Sequence, residues 1–323
     1  MPPLRLQPLY KQRPWGGKRL SKLWGRPSGN TTGWAESWEV VDLGADQSRV
    51  LGGPFDGQLL RELVRAYPEE LLGRSAGVDQ FPLLFKFLDA AETLSVQVHP
   101  NDEQAARMFD GQRGKSEAWV VLAAEPQSRL FVGLKSGVDR ETLKFHLAEG
   151  SIAECLHSFP AHVGDVISVP AGTVHAIGAG VSLAEIQQPS DLTLRLFDWH
   201  RRDARGEPRS LHVEAALECI DFDLGPVQPL APQPLKLEAP CCEVLLETEH
   251  FSWRRHRLPE GKHLLVGCDC CQILALISGR TNATGVSVTQ DLQAGDCLLM
   301  PASSQPLLLN CLTESILLAA RPT

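Results

Sequence analysis

The strongest constraint on this chain is its punctuation. Short apolar and β-branched runs recur along it, among them "ESWEVVDL", "LLFKFLDA", "AWVVLAA", "GDVISVPAG", "VSLAEIQQP" and "LTLRLFDW". Breakers separate them throughout, with 27 glycines and 23 prolines in 323 residues. Runs of this length between turn residues make strands, and many in series make a β-sandwich or barrel. In a strand, residues two apart share a face. A polar pair at that spacing inside an apolar run therefore has to be explained.

Helical patterns are fewer. "DGQLLRELVRAYPEELLG" (Asp56–Gly73) has leucines at helical spacing and a closing glycine. "NDEQAARMF" opens on Asn101 as an N-cap, "DRETLKFHLAEG" ends in glycine, and "SLHVEAALECI" is a short amphipathic segment. Proline-rich, aperiodic residues 224–240 read as a semi-rigid linker. It divides the chain into a metal-binding domain with helical segments, residues 1–223, and a smaller β domain without metal ligands, residues 241–323. An internal echo supports two related units. "GDVISVPAGT" (Gly164–Thr173) matches "GDCLLMPASS" (Gly295–Ser304): a Gly-Asp turn, four strand residues, then Pro-Ala. The first copy runs on into "VHAIG" and the second into "QPLLL", which has no histidine. A site built on this motif belongs to the first copy.

Composition narrows the classes. An apolar content of 43 % supplies a sizeable core, yet no run reaches the ~18 residues of a membrane span. The first residues, "MPPLRLQPLYKQRPWGG", lack the apolar stretch of a secretory signal. Nine cysteines, an odd number in a chain too long to need staples, read as reduced thiols in a cytoplasmic protein. "CDCC" (Cys268–Cys271) reads as structural cysteine before metal site. A net charge of −8 argues against nucleic acid or an anionic membrane as partner, but leaves room for a small anion in a local basic pocket.

Three segments of the first unit carry groups that suit a metal. Gln97 and His99 stand two apart in "LSVQVHPND", Glu117 lies in "GKSEAWVVL", and His175 follows the turn of "VPAGTVHAIG". Two imidazoles, a carboxylate and an amide oxygen form a mixed set that fits Zn²⁺, with further positions left to water or substrate. Taken singly, each has a plainer reading. His99 could be a satisfied core or surface histidine, and Glu117 could face solvent. An unpaired carboxylate in an apolar strand is costly, however, and asks for a positive neighbour. Lys115 is two residues from Glu117 and shares its face. His146, His157, His162, His250 and His256 show no comparable setting and read as surface residues.

"LSVQVHPND", "GKSEAWVVL", "VPAGTVHAIG" and "SDLTLRLFDWHR", in this order, resemble the type I mannose-6-phosphate isomerases in their short bacterial form. "KQRPWGGKRL" and "AESWEVVDL" (Ala35–Leu43) are similar to that family's first segment. The resemblance is strong over Leu9–Asp221 and only in outline beyond. It implies a mainly β protein: a cupin jelly-roll β-sandwich with a few helices, then a second, smaller cupin-like β domain. It implies one zinc per chain, with Gln97, His99, Glu117 and His175 as ligands. It implies a phosphosugar substrate, isomerised between mannose 6-phosphate and fructose 6-phosphate through a cis-enediol. Oligomeric state is left as monomer or homodimer.

The same resemblance brings Lys115 and Lys86 into the site. A lysine beside a divalent cation is a reasonable acid/base group. Arg195 stays charged at any working pH, which suits it to phosphate or oxyanion binding. Asp198 is assigned to ring opening or to orienting a ligand. If "LTLRLFDW" were one unbroken strand, Arg195 and Asp198 would face opposite ways, so a bulge or a strand end is expected there. Two other readings stay open at this point: a non-catalytic sugar-binding cupin, and a metal-dependent cupin oxygenase, since two histidines and a carboxylate also bind non-haem iron.

Overall fold

Alternation along the strands decides how the layers stack. In the strand Leu84–Ala90, Phe85 and Phe87 point one way, while Leu88 and Ala90 point the other, into a different apolar cluster. The strand Glu117–Ala124 divides likewise, with Ala118 and Val120 on one side and Trp119 and Val121 on the other. So does Val181–Gln187, with Ala184 and Ile186 against Val181 and Leu183. A sheet apolar on both faces must be covered on both. The computed structural model, which describes residues 1–24, 34–202, 206–235, 242–267, 269–285 and 289–323, supplies both covers.

The first cover makes a sandwich. The six-stranded sheet runs in the order Val166–Val169, Glu117–Ala124, Val181–Gln187, Leu84–Ala90, Glu36–Val40, Leu9–Lys11. It faces a five-stranded sheet ordered Leu156–Pro160, Arg129–Leu134, His175–Ile177, Val96–Val98, Leu194–Phe197. Neighbouring strands are antiparallel in both. The second cover comes mainly from residues 233 onward, joined by Trp24 and helical leucines such as Leu60, Leu63 and Leu71. There a six-stranded sheet (Gln233–Pro234, Cys242–Glu247, Phe251–Leu258, Ser315–Pro322, Gln272–Ser278, Cys297–Met300) faces a four-stranded one (His263–Val266, Leu307–Cys311, Arg280–Thr284, Thr289–Gln293). Trp253, Ile273, Leu318 and Ala320 of that larger sheet join Phe85, Phe87, Val120 and Ile186 in one cluster. Phe85 and Trp253 meet edge to face, ring centroids 6.5 Å apart. The two sandwiches thus share an apolar layer, and the second one backs the first.

The sequence echo lands at matching places. Val166–Val169 and Cys297–Met300 are each an edge strand of their six-stranded sheet. The two continuations diverge. The first unit turns into His175, buried between its sheets, whereas the second turns into Leu307 and Leu309, which fill an interior also holding Leu274, Leu276, Met300 and Leu317. The interior of the second sandwich is packed with aliphatic side chains.

The expected helices form, with one correction. The 56–73 segment is two short helices, Leu60–Ala66 and Pro68–Leu72, parted at Tyr67, whose φ of −138° is not helical. Proline at 68 disfavours helical geometry in the residue before it. Asn101 caps Asp102–Met108 as expected: its side chain accepts from the Gln104 backbone amide at 2.8 Å, and the Gln104 side-chain oxygen accepts from the Asn101 backbone amide at 3.0 Å. A second correction concerns His256, which is buried, not on the surface, and lies in Phe251–Leu258 beside Cys242. Of the expected linker, residues 236–240 lie outside the described ones, as do Cys268 of the "CDCC" run and Cys241. Before them, Leu230 donates to Val166 and Val227 to Val132, so the chain runs along the first unit before Gln233–Pro234 joins the second. Among the described residues no helix is long and apolar enough to cross a membrane.

Truncating Trp253, which is fully buried in the shared layer, to alanine should cost about 3–5 kcal/mol of stability. Denaturant unfolding of W253A checks this. A loss below about 1 kcal/mol would mean the two units do not support each other through this layer.

Candidate metal centre and its cavity

Two sheets contribute to one spot. Glu117 opens a strand of the six-stranded sheet, while Gln97 and His175 are direct cross-strand partners in the five-stranded one. His99 stands two residues after Gln97, and the turn that delivers His175 is tied to it: the Gly172 amide donates to the His99 carbonyl at 2.8 Å. Gly172 sits at φ +87°, and a Cβ there would lie 2.9 Å from that of Asp221, so glycine is what this turn accepts.

The ring orientations are fixed from behind. His99 Nδ1 donates to the Leu192 carbonyl at 2.7 Å, and His175 Nδ1 to the Thr173 carbonyl at 2.9 Å. Carbonyl oxygens only accept, so Nδ1 carries the proton on each ring and Nε2 presents a lone pair. Burial, with the Lys115 charge next, pushes the His99 imidazole well below its ordinary pKa, and burial pushes His175 down as well. Both rings are neutral. Their Nε2 atoms lie 3.5 and 3.4 Å from the two oxygens of Glu117. Ligand atoms of the three residues fall within 4.8 Å of one another, all buried. Burial alone would raise the Glu117 pKa, but Lys115, its ammonium 2.8 Å from Oε2, together with His99, His175 and Lys86 outweighs that and holds the carboxyl well below the usual carboxylate range.

This arrangement tests the fit of a metal. Three acceptors face one another, and no proton lies between His175 Nε2 and Glu117. Like-signed lone pairs at this spacing are stable only around positive charge. The Gln97 amide stands 3.2 Å from His175 Nε2. Its two ends are isosteric, so the same placement offers Oε1 to a cation. The donor set fits a metal ion.

Around this centre lies a cavity of about 260 Å³ whose lining includes Gln97, Glu117, Lys115, Lys86 and Arg195. Lys115 also lies 3.1 Å from His99 Nε2. Lys86 is buried and paired with Glu185 at 3.0 Å and Glu36 at 3.6 Å. Burial would lower its pKa, but these carboxylates raise it. Arg195 is the cross-strand partner of Gln97, and the register slips between Arg195 and Phe197, in agreement with the expected bulge. The strand ends at Phe197. Asp198, just past it, does not line the cavity. It pairs with Arg201 and, at 3.4 Å, with Arg209, which does.

Sequence reasoning missed Glu36, Glu185, Arg13 and Arg209, all of which line the same cavity. Glu185 could have been found, because it is a carboxylate in the apolar run "VSLAEIQQP", the same anomaly that flagged Glu117. Burial and the charge on Glu117 push its pKa up to about 7. Glu36 is held at about 2: burial opposes this, but Lys86 and Arg13 overcome it. The arginines carry no local signal. Arg13 and Arg209 are 196 positions apart and meet only in the fold.

A model of the type I phosphomannose isomerase catalytic domain matches residues 4–119. The chain is 33 % identical over 299 residues to the mannose-6-phosphate isomerase ManA of Bacillus subtilis, covering 93 % of each chain. It is 33 % identical over 301 residues to the mannose-6-phosphate isomerase of Streptococcus mutans, covering 93 % of this chain and 92 % of the relative. The crystal structure of mannose 6-phosphate isomerase from Bacillus subtilis superposes with a TM-score of 0.91 at 26 % identity, over 99 % of this chain and all of the other. Similarity of this depth, sustained through both sandwiches, makes the chain a member of the type I phosphomannose isomerase family.

Proposed function

We propose that this protein interconverts mannose 6-phosphate and fructose 6-phosphate. The observation that carries the reading is the lysine amine inside the metal centre: Lys115 Nζ, 4 % exposed as a side chain, within 3.1 Å of both a carboxylate oxygen and an imidazole nitrogen and open to the cavity. A sugar-binding protein without turnover has no need of an acid/base group there. Aldose–ketose isomerisation does, because a proton must leave C2 and be returned at C1, with O1 and O2 exchanging theirs.

Gln97, His99, Glu117 and His175 would hold one zinc ion per chain, a metal suited to mixed nitrogen and oxygen donors. When bound, a divalent cation supplies polarisation of the sugar's carbonyl and hydroxyl oxygens. The chain's own groups do the rest. Beside a divalent cation the ammonium form of a lysine is disfavoured; as the neutral amine, Lys115 takes the C2 proton and gives it back at C1, passing through the cis-enediol. Arg195, beside Gln97 and always charged, stabilises negative charge on the substrate. Lys86, locked between Glu185 and Glu36, is a fixed cation in the cavity wall. Asp198 acts from behind by holding Arg209, so ring opening falls to groups that line the cavity. A cytoplasmic setting accords with buried thiols such as Cys155, Cys219 and Cys311, and a monomer or homodimer suits a site drawn from one chain.

His99→Ala and His175→Ala should each lose bound zinc and lower turnover of mannose 6-phosphate by at least about a thousandfold; metal analysis beside a coupled assay reads both. Retained activity in a metal-free variant overturns the reading. Lys115→Met should keep its zinc while kcat drops about 10²–10⁴-fold. An unchanged kcat would remove Lys115 as proton carrier. Oxygen uptake without isomerisation would move the protein to the oxygenases.

A further inference from the structure

We propose that Arg13 and Arg209, together with Arg195, grip the phosphate of the substrate at the outer end of the cavity. The inference rests on the isomerase reading and names the residues that select a phosphorylated sugar.

Three guanidinium groups, one from the N-terminal segment and two from either side of the loop after Phe197, line one cavity. Each is braced by contacts with described residues. Arg13 Nε donates to Glu36 Oε1 at 2.9 Å. Arg209 Nη1 reaches Asp198 Oδ1 at 3.4 Å. Arg195 donates through Nη1 to the Ser210 carbonyl at 2.9 Å and through Nε to Ser95 Oγ at 3.3 Å. A guanidinium has five N–H donors, so each bracing fixes the plane and leaves others to a ligand. Asp198 is shared between Arg209 and Arg201, one negative charge for two positive ones. Crowding of like charge shows in Arg195: burial, then Arg209, lowers its pKa. Asp191 adds one carboxylate to the lining of the same cavity. A dianion with three oxygens in a tetrahedral face is the ligand such a cluster binds best, since guanidinium groups meet phosphate with paired hydrogen bonds.

Depth gives the orientation. Side chains of Lys115 and Lys86 are 4 % and 7 % exposed, those of Arg209 and Arg13 24 % and 35 %. The reacting carbons therefore lie inward and the phosphate outward. A row of alternating charge joins the two ends: Arg13 to Glu36, Glu36 to Lys86 at 3.6 Å, Lys86 to Glu185 at 3.0 Å, Glu185 to Lys115 at 3.8 Å. Phosphate seated on Arg13 is thus held in register with the proton-carrying lysine, and binding energy from the remote end positions the reacting end.

The test uses the zinc-loaded enzyme and four variants: Arg13→Met, Arg209→Met, Arg13→Lys and Arg209→Lys. With zinc content and thermal midpoint preserved, each Met variant should raise KM for mannose 6-phosphate about tenfold or more, with a smaller change in kcat. Competitive inhibition by inorganic phosphate should weaken by a similar factor, and the Lys variants should recover part of both. Phosphate inhibition that is undiminished in both Met variants overturns the proposal, even if KM rises, because the arginines would then touch the sugar and not its phosphate. Should wild type fail to isomerise mannose 6-phosphate, the isomerase reading falls by itself. Calorimetric titration with inorganic phosphate then decides the arginines: binding by wild type that the Met variants lose supports them, and equal or absent binding overturns them.

Discussion

The structure depends on an electrostatic demand between its two inner sheets. Glu117 is a buried carboxylate, and two imidazoles turn lone pairs toward it because their other nitrogens are already donating to carbonyls. Nothing in an apolar sandwich supports such a cluster unless positive charge is brought to it. Lys115 brings some, and the donor set invites a cation to bring more. Each further charge in the cavity answers that need. Lys86 needs Glu185 and Glu36, Glu36 needs Arg13, and the row reaches solvent only at the arginine. Catalytic polarity and structural neutralisation are the same set of contacts.

Much of this was legible in the sequence where spacing within one strand carries the information. Gln97 with His99 and Lys115 with Glu117 are pairs two apart, and the pleat alone puts each pair on one face. The echo between Gly164–Thr173 and Gly295–Ser304 located both edge strands and showed which unit could hold a site. Pairings that need a third dimension were not legible. That Arg209 comes to stand near Arg195 depends on the loop after Phe197, where Trp199 and His200 both take positive φ, 54° and 56°. No pattern of hydrophobicity signals that conformation. The break at Tyr67 was missed for another reason: leucine spacing continues through it, and only the proline at 68 marks the change.

The second sandwich explains why the first can afford polar residues inside. Its interior is aliphatic, and its large sheet lends Trp253, Ile273 and Leu318 to the outer face of the sheet carrying Glu117, Lys86 and Glu185. Burial on that outer face offsets the cost of charges on the inner one. Stability and chemistry are divided between the two sides of the same strands.

That shared layer also orders events during synthesis. Phe85 waits for Trp253, more than 160 residues downstream, and Ser315–Pro322 is an interior strand of its sheet, flanked by Phe251–Leu258 and Gln272–Ser278. Leu4 exchanges both backbone hydrogen bonds with Leu299, at 2.8 and 2.9 Å. A ribosome will have released nearly the whole chain before these early segments find their neighbours. Until then Trp24 and the leucines of the two short helices cover only part of the back of the catalytic sheet, and the rest of that apolar face stays open to solvent and to wrong pairings.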